Sequence, residues 1–535
     1  MLAKEISPFG NDCGNRSCMI ALNLFSMYFP VHEFPFKLLL YADFVVELAF
    51  FEIWSMQTYL TGVWKMSVTR AAAILNIWEG IIKMLPICFV LLVDTLMGDF
   101  LMLVLSSIAY CVGLSLLFTS SSLVRADCQH DNPMCVGDTE TILFCTALAL
   151  IAVGISGHRV SLRSFLNEQL SDADIGLSKW AILFPIYTYS SHWRYWPSFR
   201  KTMANPLWDS SNLCRCGNLD VFNGVFVASA SKISQQFPRE DARFYNNVVS
   251  HFRTSNLKCL DRAAFVVGEE LEKNRWKLCT ITEVEETKLL IRLVPIWITF
   301  IVCGIVSSFA NTYFQEQANH MNNKMGKLDV PPIVLLVILK WVEVASAQLY
   351  GLTIKRPGKY ATRIGILVAM IFSVLCCITA AGVETRRLSV VRRYGLVNKP
   401  DDDIPMSIFW LLMQICLLAI MNSLLKTGID AFYKYYAPPS LLDYLNYFAE
   451  GALGVGFTCG PLLVSIVGKI SEKGGKISWF QHTLNRSRLD KYYWVMAALC
   501  SVNLLVYILV ASIYEDRQVP DDREGSSTPE GSIEG

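Results

Sequence analysis

The feature that most constrains this chain is the recurrence of apolar runs long enough to cross a bilayer. They fall near residues 36–62, 71–93, 99–118, 141–160, 289–310, 331–351, 364–383, 404–427, 441–468 and 492–513. A helix needs about 20 apolar residues to traverse a ~30 Å hydrocarbon core. Each helix satisfies its own backbone hydrogen bonds, so many such runs fit a polytopic bundle and not a soluble core. Composition agrees. Hydrophobic residues make up 53% of the 535 and charged residues 17%, against roughly 25% charged in soluble domains. The net charge of +1 points to no nucleic-acid partner. The expected fold is an all-α polytopic membrane protein.

The stretch Trp276–Phe314 shows how the runs are joined. Lys277, Glu283, Glu285, Glu286 and Lys288 form a charged lead-in, and an apolar run follows from Leu289 to Ala310, broken by Arg292 and Pro295. Its wording, "WKLCTITEVEETKLLIRLVPIWITFIV", resembles the start of the seventh helix in the plant nitrate/peptide transporter family, part of the proton-dependent oligopeptide transporters. "LDRAAFV" (260–266), "VFVASASKIS" (225–234) and "NRSRLDKYYWVMA" (485–497) resemble the same family. The resemblance covers about 35–169 and 225–514.

It implies a major-facilitator-type fold of two six-helix bundles, twelve helices against the ten read here. The deficit falls between Gln169 and Val225. There only Trp180–Tyr189 is apolar, and Pro185 interrupts it. Parity requires that both of the family's helices five and six be lost or damaged together. The expected organisation is an N-terminal extension (1–35), an N-terminal bundle with helices one to four (36–169), the degraded region (170–225), a cytosolic connector (226–288), a C-terminal bundle with helices seven to twelve (289–514) and a disordered polar tail (515–535).

Connector cations such as Lys232, Arg239, Arg243, Arg253 and Arg262 place that segment in the cytoplasm, as do Lys355, Arg356, Lys359 and Arg363. Arg386, Arg387, Arg392 and Arg393 conflict, because parity puts them outside. The sequon Asn485-Arg486-Ser487 then also lies outside and is open to glycosylation. Cys128 and Cys135 lie in a polar loop, as a disulfide or as two free thiols.

Ionisable groups within spans are functional candidates. Asp43 and Glu47 are four apart, on one face of the first helix, where two carboxylates can share a proton. The resemblance implies an ExxER proton-coupling motif here. "LAFF" (48–51) aligns Asp43 with the first Glu, Val46 with the second and Glu47 with the Arg, so either the pairing is altered or the motif has decayed. Arg159, in "GISGHRVSLRSFLNEQ" (154–169), stands where the family has a Lys facing those acids. Glu79 and Lys83, spaced i,i+4, read as a self-neutralising pair. Asp94 and Gly98 match the family's cytoplasmic gate turn, with Asp99 replacing its basic residue.

Substrate-cavity candidates are Trp297, Lys340, Glu343 and Asp430. Lys340 and Glu343 are either cavity groups or a local pair. At "GIDAFYKYY" (428–436) the family's substrate-recognising Glu is Ala431. Gly451, Gly454, Gly456 and Gly460 mark helix eleven as close-packing.

The seven His are widely separated, no GxSxG or HExxH occurs, and no Cys/His spacing suits a metal. No enzyme, metal or cofactor is expected. The resemblance implies a secondary active transporter of a small polar solute (nitrate, a di- or tripeptide or a related metabolite). It would work by alternating access with protons as co-transported partner, in the plasma membrane or the vacuolar membrane. The alternative is a non-transporting or uncoupled relative: a sensor, a scaffold or a decayed copy.

Overall fold

The computed structural model describes residues 56–127, 137–169, 281–325, 328–330, 332, 334–353, 359–400, 402–438, 441–473 and 475–516. Asp43, Glu47, Cys128, Cys135, the 170–225 region, most of the connector and the tail lie outside the described residues.

In order, the helices are α1 (Met56–Gly62), α2 (Val68–Leu92), α3 (Gly98–Asp127), α4 (Asp138–Gln169), α5 (Ile281–Ser307), α6 (Gln315–Asn319), α7 (Val334–Thr353), α8 (Lys359–Arg393), α9 (Leu412–Tyr436), α10 (Leu442–Ser471) and α11 (Leu489–Asp516). Short strands β1 (Met321–Asn322) and β4 (Ile404–Ser407) pair in parallel, and β2 (Lys324–Met325) pairs antiparallel with β3 (Leu328–Asp329). Among the described residues eight stretches are long and apolar enough to span a membrane, and each overlaps one or two of the runs read from the sequence.

The first stretch, Val68–Ser120, has 53 residues. At 1.5 Å per residue that is about 80 Å, far more than one crossing. A π turn, Val93–Met97, interrupts it after α2, and Gly98 folds it back with φ 70° and ψ 161°. Only glycine takes that backbone without strain.

α2 and α3 both pack on α4. In the C-terminal half α8 packs on α9 and α11, α7 on α9, and α5 on α10 and α11. The halves meet where α10 lies along α2. A buried apolar cluster runs from α1 through α4 into α5 and α8–α11. Outward-facing apolar residues such as Leu91, Leu105, Ile298 and Leu509 are exposed, as a lipid-facing surface requires.

α8 corrects two expectations. Its 35 residues extend about 20 Å beyond the hydrocarbon core, so its last turns enter protein. Arg387 is not a loop cation there. It is fully buried, its Nε and Nη2 donate to the Glu384 carboxylate at 2.7 Å each, and its Nη1 donates to Asn485 Oδ1 at 2.8 Å. Arg386 lies over the Trp410 ring at 3.9 Å. The conflict with charge counting eases because these two cations have protein partners. Asn485 of the sequon is itself buried, and its Nδ2 donates to the Leu396 carbonyl at 3.2 Å. Both amide atoms are committed, so the folded chain does not offer this Asn for glycosylation.

Candidate functional site

The seam between the halves determines what the central residues meet. α2 presents Asn76, Glu79, Gly80, Lys83 and Ile87 along it, at helical spacing. α10 runs antiparallel, so Gly460 lies near Asn76, Thr458 and Gly454 against Gly80, and Gly451 against Ile87. A β-carbon at Gly80 would stand 2.7 Å from the Gly454 carbonyl oxygen. The other face of α10 packs Gly456 as closely on Gly304 of α5. The glycine-rich helix is therefore close-packed, as its sequence suggested, against α2 of the other half on one face and α5 of its own half on the other.

With the backbones this close, polar side chains on the seam reach across it. Glu79 and Lys83 do not pair with each other. Glu79 Oε2 accepts from Asn311 Nδ2 at 3.0 Å, and Lys83 Nζ lies 3.5 Å from Glu450 Oε2 and 5.2 Å over the Phe457 ring. The i,i+4 spacing set their common face, but that face is turned to the other half, and the stronger partners are there.

Glu450 is the centre of a charged group. Lys83 from α2, Arg159 from α4 and Lys426 from α9 all act on its carboxylate electrostatically. Arg159 gets there because Gly154 and Gly157 let α4 lie close on α3, against Ser106 and Tyr110. That rotation buries His158 and exposes Arg159. Tyr447 of α10 lies near Arg159, its Oη donating to the Arg159 carbonyl at 3.5 Å. Lys426 is likewise exposed. Cations on spanning helices avoid lipid, so the charges felt by this one carboxylate mark a polar stretch of the seam between the halves.

A second polar chain crosses the C-terminal half. Lys340 Nζ donates to Glu343 Oε2 at 3.0 Å, Asn422 Nδ2 to Glu343 Oε1 at 3.1 Å, and Ser307 Oγ to Asn422 Oδ1 at 2.7 Å. Lys340 and Glu343 are thus a local pair that is also tied to α9 and α5. Trp297 is buried. Its Nε1 donates to Tyr433 Oη at 2.6 Å, and its ring stacks on Phe448 at 5.1 Å. Asp430 is half-buried, one turn along α9 from Lys426. Asp94 is exposed in the π turn before Gly98.

The end of the seam near α1 is closed by neutral and acidic groups. Thr61 Oγ1 donates to Glu316 Oε2 at 3.3 Å, and Asn319 Nδ2 to Thr58 Oγ1 at 2.8 Å. Asn311 sits in a π segment, Ala310–Phe314, that continues α5; such segments are frequent at functional sites.

Sequence reasoning singled out Arg159 of the central group and missed Lys426 and Glu450. The signal was present: each is an ionisable residue inside an apolar run, the rule that picked out Lys340 and Glu343. Asp43 and Glu47 lie outside the described residues, so their distance from Arg159 is not part of this geometry.

Comparisons with known proteins bear on the whole chain. The PTR2 family, described as the POT family, matches residues 219–480. The Arabidopsis thaliana protein NRT1/PTR FAMILY 5.5 is 35% identical over 523 residues, covering 87% of this chain and 94% of that protein. NRT1/PTR FAMILY 5.12 of the same plant is 27% identical over 510 residues, covering 88% and 91%. Among solved structures, an auto-inhibited POT family peptide transporter aligns with a TM-score of 0.63 at 15% identity, over 91% of this chain and 98% of that one. A POT family transporter in complex with 5-aminolevulinic acid aligns at 0.57 and 10% identity, over 90% and 96%. At those identities the structural matches establish the fold.

Proposed function

The chain belongs to the NRT1/PTR family of POT transporters, a multi-pass secondary transporter, and from that premise we propose that it carries a small anionic or zwitterionic solute by alternating access at the Glu450 group. Nitrate, a di- or tripeptide and a related metabolite are the solutes within reach. The observation that carries this reading is the Lys83–Glu450 ion pair across the seam, 3.5 Å long, whose carboxylate also feels the charges of Arg159 and Lys426. A solute held there touches both bundles, so rocking one against the other opens it to each side in turn. Asp94 and Gly98 act at the cytoplasmic turn, and Lys340, Glu343, Asp430 and Trp297 shape the C-terminal wall. Proton symport is the family mechanism, and Asp43, Glu47 and Arg159 are its candidates here. The membrane is the plasma membrane or the vacuolar membrane.

The test is uptake of nitrate and of a dipeptide by a heterologous cell, at acidic and neutral pH. Uptake of either above the empty-vector level, faster in acid, is expected. No uptake at either pH favours the second reading, a non-transporting relative. That reading draws on one observation: Asp43, Val46 and Glu47 stand where the family has its coupling motif.

A further inference from the structure

We infer that Arg386 and Trp410, with Arg393 two turns further along α8, form a binding site for the headgroup phosphate of an anionic phospholipid, in the leaflet at the C-terminal end of α8.

The level of the site follows from α8 itself. Residues 364–383 carry no charge. They make about 30 Å of helix, the thickness of the hydrocarbon core. Along them Ile364, Ile371, Leu375 and Ile378 are exposed. At 100° per residue these four lie within about 40° of one line, and so do Gly382, Arg386, Ser389 and Arg393. All four of the latter are exposed too. The stripe that faces lipid thus changes from apolar to cationic where the hydrocarbon ends. Arg386 is its first charge, three residues past the uncharged stretch; Glu384 is buried on another face. The returning chain marks the same level. Met413, in the first turn of α9, is 65% exposed, and Trp410, one turn before it, is 44% exposed. Tryptophan is enriched where hydrocarbon meets headgroups.

The chemistry suits a phosphate. The Arg386 guanidinium lies over the Trp410 ring at 3.9 Å. Stacking uses the face of a guanidinium, while its N–H groups point outward in the plane and match a phosphate bidentately. Among the described residues no acid neutralises this end of the stripe. Glu384 is taken by Arg387, and Asp402 lies 3.6 Å from Lys399. Arg386, Arg392 and Arg393 make no ion pair with a described residue. Packing accounts for Arg387, but charge counting still does not explain three uncompensated arginines at this end of the span. An anionic headgroup does.

The surroundings suit a lipid and not a dissolved phosphate. Ile378 and Gly382 lie two turns and one turn from Arg386 on its hydrocarbon side. A β-carbon at Gly382 would meet nothing within 4 Å. That leaves a shallow, uncharged strip along α8, directly below the cation, against which an acyl chain can lie.

The experiment purifies the full chain in detergent, adds equimolar phosphatidylglycerol and phosphatidylcholine, and counts retained lipid by native mass spectrometry. The wild type is expected to keep phosphatidylglycerol over phosphatidylcholine at least about tenfold. Arg386→Gln and Arg393→Gln should each lower that preference about fivefold, the electrostatic scale of one cation at a charged membrane surface. Trp410→Ala should act in the same direction. Arg486→Gln is the control. It removes an equal charge from another exposed position, where Arg486 Nη2 already donates to Asn398 Oδ1 at 2.9 Å, and it should leave the preference unchanged. Melting temperatures in lipid-free detergent show that the variants fold, and Arg393→Gln carries the test if Arg386→Gln does not. Equal retention of the two lipids by the wild type overturns the inference. So does a preference that survives both arginine variants, or one that Arg486→Gln lowers as much as they do. Displacement of phosphatidylglycerol by millimolar inorganic phosphate would overturn the lipid assignment; persistence of the bound lipid supports it.

Discussion

Gly80 of α2 and Gly454 of α10 lie face to face across the seam, so that a β-carbon built on either would stand 2.7 Å from the carbonyl oxygen of the other. The reciprocity means that neither helix can yield by moving a side chain. The backbones themselves set the distance at which Lys83 meets Glu450.

Gly454→Val should therefore push the halves apart. Overpacking of this kind costs about 1–3 kcal/mol, and here it also draws Glu450 away from Lys83. A lower melting temperature together with reduced uptake is expected. Gly351→Ala and Gly382→Ala are the controls, since a β-carbon at either meets nothing within 4 Å. Equal losses in all three would remove the seam from the explanation.

Arg387→Ala strips a fully buried carboxylate of its partner. Glu384 would retain only Gln317, whose Nε2 donates to Oε2 at 2.7 Å. Breaking a buried pair in this way costs about 3–5 kcal/mol. The double variant Arg387→Met with Glu384→Gln should recover part of that loss, because no isolated charge remains. Thermal unfolding in detergent measures both, and a double variant no better than the single one would contradict the account.

Asn485 should carry no glycan. Its side chain is held between Arg387 and Leu396, and an attached sugar would have to displace both. Mass spectrometry of the peptide containing Asn485, from chain expressed in a plant or yeast cell, is expected to show the unmodified residue. A glycosylated fraction that is folded and active would show that this part of the structure opens.

Asn422→Leu tests the chain from α7 to α5. It removes a donor from Glu343 and an acceptor from Ser307. The expected loss is about 0.5–1.5 kcal/mol, the net scale of a hydrogen bond, because Glu343 keeps Lys340 and Ser307 Oγ also donates to the Cys303 carbonyl. Lys340→Met should be worse for Glu343 still, since the cation is its other partner. The melting temperatures of the two variants order them.

Much of the fold is legible along the chain. Apolar runs of membrane length mark the spans, because a helix in lipid satisfies its own backbone and needs only an apolar surface. The glycines of α10 announce a helix that packs backbone to backbone, and Gly98 a reversal that only glycine makes easily. These are local properties, and each follows from a few neighbouring residues.

The partners of the charged groups are decided elsewhere. Spacing places Glu79 and Lys83 on one face of a helix, but spacing does not say where that face is turned. The packing of α2 on α10 turns it to the other half, so Glu79 goes to Asn311 and Lys83 to Glu450. In the same way the sequence shows Arg387 as a cation near a span's end and Asn485 as a sequon. Only the extension of α8 into protein brings the two together and buries both. A sequence specifies which charges must find partners; the rotation and length of packed helices, set by contacts hundreds of residues apart, specify which partners they find.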